Sequence, residues 1–163
     1  MKAPLAAASL LAVSFCACAI APRKPFNPAP APADKAAVYF YRPSEMSGRL
    51  VRPTLSVNGA ELGKLANDSY AVAYLPPGQA QLRSVWPGIP GARNDDSVDV
   101  ALEPGKTYYV RVRYHVREAH GLVHHSLLQF ENRQGLEQVI DAEAVPAMAG
   151  MSATEGFGQA KAP

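Results

Sequence analysis

Apolar and polar side chains alternate in short runs along residues 36–141, and turn-forming residues separate one run from the next. In residues 107–117, the even-numbered positions are tyrosine or valine, whereas the odd-numbered positions from 111 onward are arginine or histidine. Alternate side chains of a strand point to opposite faces of its sheet. The alternation therefore predicts a strand with one buried and one solvated face, and it assigns Val110 and Val112 to the core.

Turn signals divide this region into about nine strands. Asn58-Gly59 is a strong hairpin signal, and Pro76-Pro77-Gly78 and Pro104-Gly105 mark further turns. The predicted strands are residues 36–42, 54–57, 61–65, 70–75, 79–86, 97–103, 107–117, 122–130 and 136–140. No segment shows a convincing helical period, and residues 134–143 are the only ambiguous stretch. Short strands at this spacing are typical of an all-β domain, a single antiparallel β-sandwich of about seven to nine strands.

Two segments of different composition flank the predicted sandwich of residues 36–141. Residues 18–35 contain five prolines and several Ala-Pro repeats, which exclude a helix and favour an extended, disordered tether. Its Pro/Ala-rich part, residues 19–35, would reach at most about 50 Å. Residues 142–163 are rich in Ala, Gly and Met without a sustained apolar period, so we expect a disordered tail.

The chain begins with a short secretory leader, residues 1–17, that ends at a cysteine. Residues 5–15 are uncharged and mostly Ala, Leu and Val, too few to span a bilayer, which takes about 20 residues. Bacterial lipoprotein signals place a small residue before the lipidated cysteine. Cys18 follows Ala17 whereas Cys16 follows Phe15, so the sequence favours lipid attachment at Cys18. The alternative is ordinary cleavage after Ala21, which would give a secreted soluble protein.

These features predict where the protein works and what it contacts. A lipid on Cys18 would anchor it to a bilayer, and Ala19 in place of an aspartate favours the outer membrane, facing the periplasm. Both cysteines precede the domain, so neither a disulfide nor a thiolate metal site is expected in it. The net charge is +2 without a basic block, which argues against nucleic acid as a partner.

A set of ordered motifs resembles a known family. The motifs are Ala37–Pro43, Val57-Asn58-Gly59, Leu62–Leu65, Ser69-Tyr70, Pro76-Pro77-Gly78 and Pro104–Val112. In this order they resemble the bacterial lipoprotein family catalogued as domain of unknown function 2846, from residue 36 to about residue 140. The resemblance implies a small β-sandwich on the cell envelope, and it implies no particular activity.

The sequence offers no catalytic set, so we expect a non-enzymatic binding or structural module without a cofactor. One candidate binding surface is the basic, aromatic strand face of Tyr109, Arg111, Arg113 and Arg117, which suits an anionic glycan or another envelope protein. The alternative is a solvated face that acidic neighbours neutralise. Trp86 is either an exposed platform for stacking a sugar or a core residue under a long loop.

Four histidines raise a second function, metal handling. His115, His120, His124 and His125 lie within 11 residues around one predicted hairpin. Imidazoles from facing strands can bind Zn²⁺ or Cu²⁺. The alternative is an exposed hairpin tip, and the spacing matches no known ligand motif.

Overall fold

A computed structural model describes residues 23–46, 48–87, 95–118 and 130–158, with the backbone only at residues 114–118 and 130–135. The leader and Cys18 lie outside these ranges. Within the described part of the chain, no helix is long and apolar enough to cross a membrane.

Two packed sheets form the domain, and the predicted sandwich is confirmed. The elements are β1 (Ala36–Arg42), β2 (Thr54–Val57), β3 (Ala60–Lys64), β4 (Ser69–Leu75), β5 (Gly78–Val85), β6 (Asp95–Leu102), β7 (Thr107–Glu118), β8 (Phe130–Val139), α1 (Asp141–Ala147) and β9 (Ser152–Ala153). The larger sheet has the order β8-β7-β1-β4-β9, and the smaller one has the order β3-β2-β5-β6.

The larger sheet is mixed, whereas the sequence predicted antiparallel pairing. Its central strand β1 is antiparallel to β4, with Tyr41 opposite Tyr70, and parallel to β7, with Tyr41 opposite Arg111. Four strands of the other sheet separate β1 from β7 in sequence. A connection of this length returns the chain to the starting end of β1, so that β7 runs in the same direction.

The main core lies between the two sheets. Val38 and Phe40 of β1 pack there with Leu55 and Leu82 of the opposite sheet. Val110 and Val112 are fully buried in this cluster, which confirms their assignment from the alternating pattern.

The outer face of the larger sheet is also covered, and here the expectation of a solvated face was wrong. Ala37, Tyr39, Tyr41 and Tyr109 form a second apolar cluster on it together with Met148 and other residues that follow β8. All seven residues of β1 are consequently buried. The cover consists of α1 and of residues 23–35, both of which lie in segments that the sequence predicted to be disordered.

The segment after β8 is ordered to residue 158, contrary to the expected disordered tail. Ala144 and Met148 are buried against the outer face, at the four-residue spacing of one helix side. The two-residue strand β9 pairs with the start of β4, and farther along Phe157 packs on Phe40 at 5.8 Å between ring centroids. The apolar side chains are too few to predict a helix, yet enough to dock on an existing sheet.

The segment before β8 also differs from the prediction. Residues 130–139 form one strand that pairs with β7 from Tyr109 to Glu118, whereas separate strands were predicted at 122–130 and 136–140. Asn132 and Gly135 suggested a turn, but pairing along β7 outweighs this local preference. The predicted strand residues 122–129 lie outside the described residues.

Candidate functional site

A buried arginine lies at the end of β1. The side chain of Arg42 is fully buried between the sheets, and its guanidinium carbon lies 4.8 Å from the ring centre of Trp86. Its two terminal nitrogens donate hydrogen bonds to the backbone oxygens of Val51, at 2.5 Å, and Gly48, at 2.8 Å. Arg42 therefore holds the following segment, residues 43–53, which we call the Arg42 loop.

The energetics of Arg42 explain why this contact fixes the loop. Burial lowers the pKa of its guanidinium, and the nearby charge of Glu45 opposes that shift. The group remains a cation because an arginine starts from a very high pKa. Hydrogen bonds to a charged group are worth about 1.5–3 kcal/mol each, and a desolvated cation–π contact about 2 kcal/mol. Releasing the loop carbonyls would leave a buried charge without these partners.

The Arg42 loop presents an exposed surface that combines apolar and basic side chains. Turns are closed by the amide of Arg49, which donates to the oxygen of Met46, and by that of Val51, which donates to the oxygen of Gly48. The side chains of Met46 and Leu50 are 86% and 92% exposed. Arg49 and Arg52 are exposed beside them. An open cleft of about 460 Å³ separates the loop from the β3–β4 turn.

Sequence reasoning missed this site. Arg42 appeared only as the last residue of a predicted strand, and Met46 and Leu50 as part of a connection without a motif. A signal was present, because Arg42 is the one charged residue of an otherwise apolar and aromatic strand that ends at Pro43.

The structure places Trp86 in the core. Its ring is 1% exposed and carries Arg42 on its face. Of the two interpretations of the sequence, this geometry matches the core residue under a loop, and it leaves no exposed face for stacking a sugar.

Tyr109 is also buried, although the sequence placed it on a solvated face. It is 1% exposed, and its ring stacks on Tyr39 with centroids 5.7 Å apart and planes 22° apart. Burial raises the pKa of Tyr109 to about 12, and the negative charge of Asp141 contributes to the shift. Tyr109 therefore contributes to the second cluster and is not accessible to a partner.

Arg111 is held by two carboxylates. Its guanidinium donates to Glu137 of β8 at 3.1 and 2.6 Å, and it also bonds Glu143 of α1. Burial by itself lowers the pKa of Arg111, but the hydrogen bonds to Glu137 and Glu143 outweigh it and raise the pKa. The pair of contacts ties α1 to β7 and β8, so the acidic neighbours anticipated for this face are present at Arg111. The adjacent Arg113 is half-buried.

The remaining predicted site residues lie wholly or partly outside the described residues. The backbone of His115 is opposite Arg133, and that of Arg117 is opposite Glu131. His120, His124 and His125 fall between the described parts of β7 and β8. The described ranges contain no group of three or more His, Cys, Asp or Glu residues arranged to hold a metal ion. Metal binding by the four histidines therefore stays a prediction.

The fold and the comparisons together identify the kind of protein. Two packed sheets with a buried core define a small β-sandwich protein. A family model described as Protein of unknown function (DUF2846) matches residues 32–124, more than half of the chain. The chain belongs to this family, as its ordered motifs indicated. No curated protein and no solved structure shows a significant match to it.

Proposed function

We propose that the protein is a lipid-anchored component of the bacterial cell envelope, whose sandwich is a non-enzymatic binding or structural module at the periplasmic face of the outer membrane. The observation that carries this proposal is the leader, in which an uncharged apolar run ends at Ala17-Cys18. The described structure starts five residues later, at Arg23. A folded domain that begins directly after an acylation site suits a protein held at a membrane.

The geometry favours the Arg42 loop over the β7 face as the binding surface. On the β7 face, Tyr109 is buried and Arg111 is occupied by two carboxylates of the same chain. On the Arg42 loop, Met46 and Leu50 are among the most exposed large apolar residues of the described chain. Exposed apolar side chains ringed by charge are typical of interaction surfaces.

Metabolic labelling tests the anchor directly. Bacteria that express the full chain with an affinity tag after Pro163 are fed a fatty acid with a terminal alkyne, and the purified protein is then coupled to a fluorescent azide. We expect label on the wild-type chain and on the matched control Cys16→Ala, and none on Cys18→Ala. Label that persists on Cys18→Ala, or a wild-type chain without label, would contradict the proposal.

A further inference from the structure

The residues that precede β1 lie against the outer face of the larger sheet. The ring of Phe26 packs edge-on against Tyr39 and Tyr70, with centroids 5.5 and 4.9 Å apart. The amide of Ala29 donates to the hydroxyl of Tyr39 at 2.9 Å. Proline-rich composition prevents this segment from forming a helix, but it does not prevent it from packing. The described half of the expected tether is therefore part of the folded domain.

These contacts fix the end of the sandwich at which the chain arrives. The oxygen of Lys24 accepts a hydrogen bond from the amide of Gly150, and Arg23 lies against the same glycine. Two residues farther along, Ser152 begins β9 and is opposite Ser69, the first residue of β4. The chain consequently arrives at the Ser69 end of the larger sheet.

The Arg42 loop projects from that same end. Arg42, at the end of β1, is directly opposite Ser69. The amide of Glu45 donates to the side-chain oxygen of Asn67, two residues before β4, at 3.1 Å. The β7–β8 ribbon continues past this end at the opposite edge of the sheet. The arriving chain and the Arg42 loop thus both lie on the β4 side.

Chain length then limits how far this end can lie from a membrane. Five residues separate Cys18 from Arg23, and a fully extended chain of five residues spans at most about 18 Å. The sequence alone allowed about 50 Å, because it treated residues 19–35 as free. If Cys18 carries lipid, the Arg42 loop faces the bilayer at short range.

The chemistry of this end matches a lipid surface that carries negative charge. The side chains of Arg23, Lys24, Arg49 and Arg52 are exposed there, around the apolar tips of Met46 and Leu50. Basic side chains bind phosphate groups, while apolar ones enter the boundary between headgroups and acyl chains, about 5–10 Å deep. A folded protein partner would not require the cations and the anchor to share one end.

We propose that the Arg42 loop is a second membrane contact, which inserts Met46 and Leu50 between the headgroups of anionic phospholipids while Arg49 and Arg52 bind their phosphates. This inference rests on the proposed lipid anchor at Cys18. Buried Arg42 acts as a positioning residue, because its hydrogen bonds to the carbonyls of Gly48 and Val51 hold the loop in the shape that exposes both apolar side chains.

Depth-dependent quenching tests the proposal on the lipidated protein. The full chain with Leu50→Cys is produced in bacteria, purified from membranes, labelled with a fluorophore and reconstituted in phosphatidylcholine vesicles with and without phosphatidylglycerol. The matched control is Lys106→Cys, an exposed position at the opposite end, where the oxygen of Lys106 accepts from the amide of Ala37. The lipid occupies the thiol of Cys18, so the label reacts with the introduced cysteine.

We expect lipids with a quenching group on the acyl chain to quench the probe at residue 50, and aqueous iodide to quench the probe at residue 106. Loss of each arginine should lower the ratio of inserted to withdrawn loop about five-fold, and Arg49→Gln with Arg52→Gln about 30-fold. The double control Lys35→Gln with Lys106→Gln removes the same charge at the other end and should leave the quenching of the residue-50 probe unchanged.

The outcomes separate this inference from the proposed function. A chain that carries fatty acid but whose residue-50 probe is as accessible to iodide as the residue-106 probe would overturn the loop contact alone. A chain without fatty acid would overturn both. Protection of the residue-50 probe in native membranes but not in lipid vesicles would identify the loop as a protein-docking surface and would also overturn the membrane contact.

Discussion

Replacement of Phe26 by alanine would measure how strongly the segment before β1 is bound to the sandwich. The ring is partly buried and makes two edge-to-face contacts, with Tyr39 and Tyr70. Such contacts are worth about 0.5–1.5 kcal/mol each beyond their buried area. A fully buried Phe→Ala change costs about 3–5 kcal/mol. For a ring that stays partly exposed we expect a loss of about 2 kcal/mol, or about 8 °C in Tm.

Urea denaturation gives the measurement, with the fluorescence of Trp86 as its signal. Trp86 is the only tryptophan of the chain and lies in the main core, away from Phe26. Its signal therefore reports unfolding of the sandwich rather than local release of the segment. The matched control is Asn27→Ala, an exposed neighbour for which we expect a change within about 0.5 kcal/mol.

The result that would refute the reasoning is a loss for Phe26→Ala no larger than that for Asn27→Ala. The segment would then contribute nothing to stability, and the short distance between Cys18 and the Arg42 loop would lose its basis. A loss near 2 kcal/mol with an unchanged m-value would show that the segment folds together with the sandwich.

Two further predictions concern β7. Val112→Ala should cost about 1–3 kcal/mol because it leaves a cavity in the main core, whereas Arg113→Ala should cost less; equal losses in urea denaturation would contradict the strand register. Tyr109 has a pKa of about 12 when folded and about 10 when unfolded, so the folded state holds its proton more tightly and stability should fall as the pH rises from about 10 to 12. Tyr109→Phe should flatten that decline in alkaline melting curves; an unchanged slope would contradict the burial of the hydroxyl.

Local patterns sufficed for most of the strands. The first seven predicted strands match β1 to β7 to within two residues at each end. Alternation is visible within a single strand, and Asn58, which has a φ of 49°, and Gly59, which has a φ of 84°, form the left-handed turn that their sequence predicted. The assignment of Val110 and Val112 to the core needed no knowledge of their partners.

The candidate site was not predictable in the same way. The alternating pattern of β7 marked Tyr109 and Arg111 as exposed, because a strand pattern cannot show what lies on its second face. The cover comes from Phe26 and from α1, which are 83 and 32 or more residues away in sequence. The burial of Arg42 likewise depends on Trp86, 44 residues farther along the chain.

The sequence by itself determined the β-sandwich class, the turns, the main core, the family and, through its leader, the expected anchor at Cys18. These properties depend on side chains close together along the chain, where alternation and turn chemistry act. Only the tertiary structure decided that both flanking segments pack, that Arg42 is buried and that Met46 and Leu50 face the end where the chain arrives. Packing energy depends on surfaces that distant residues create together, so composition alone predicted disorder where the fold offers a docking surface.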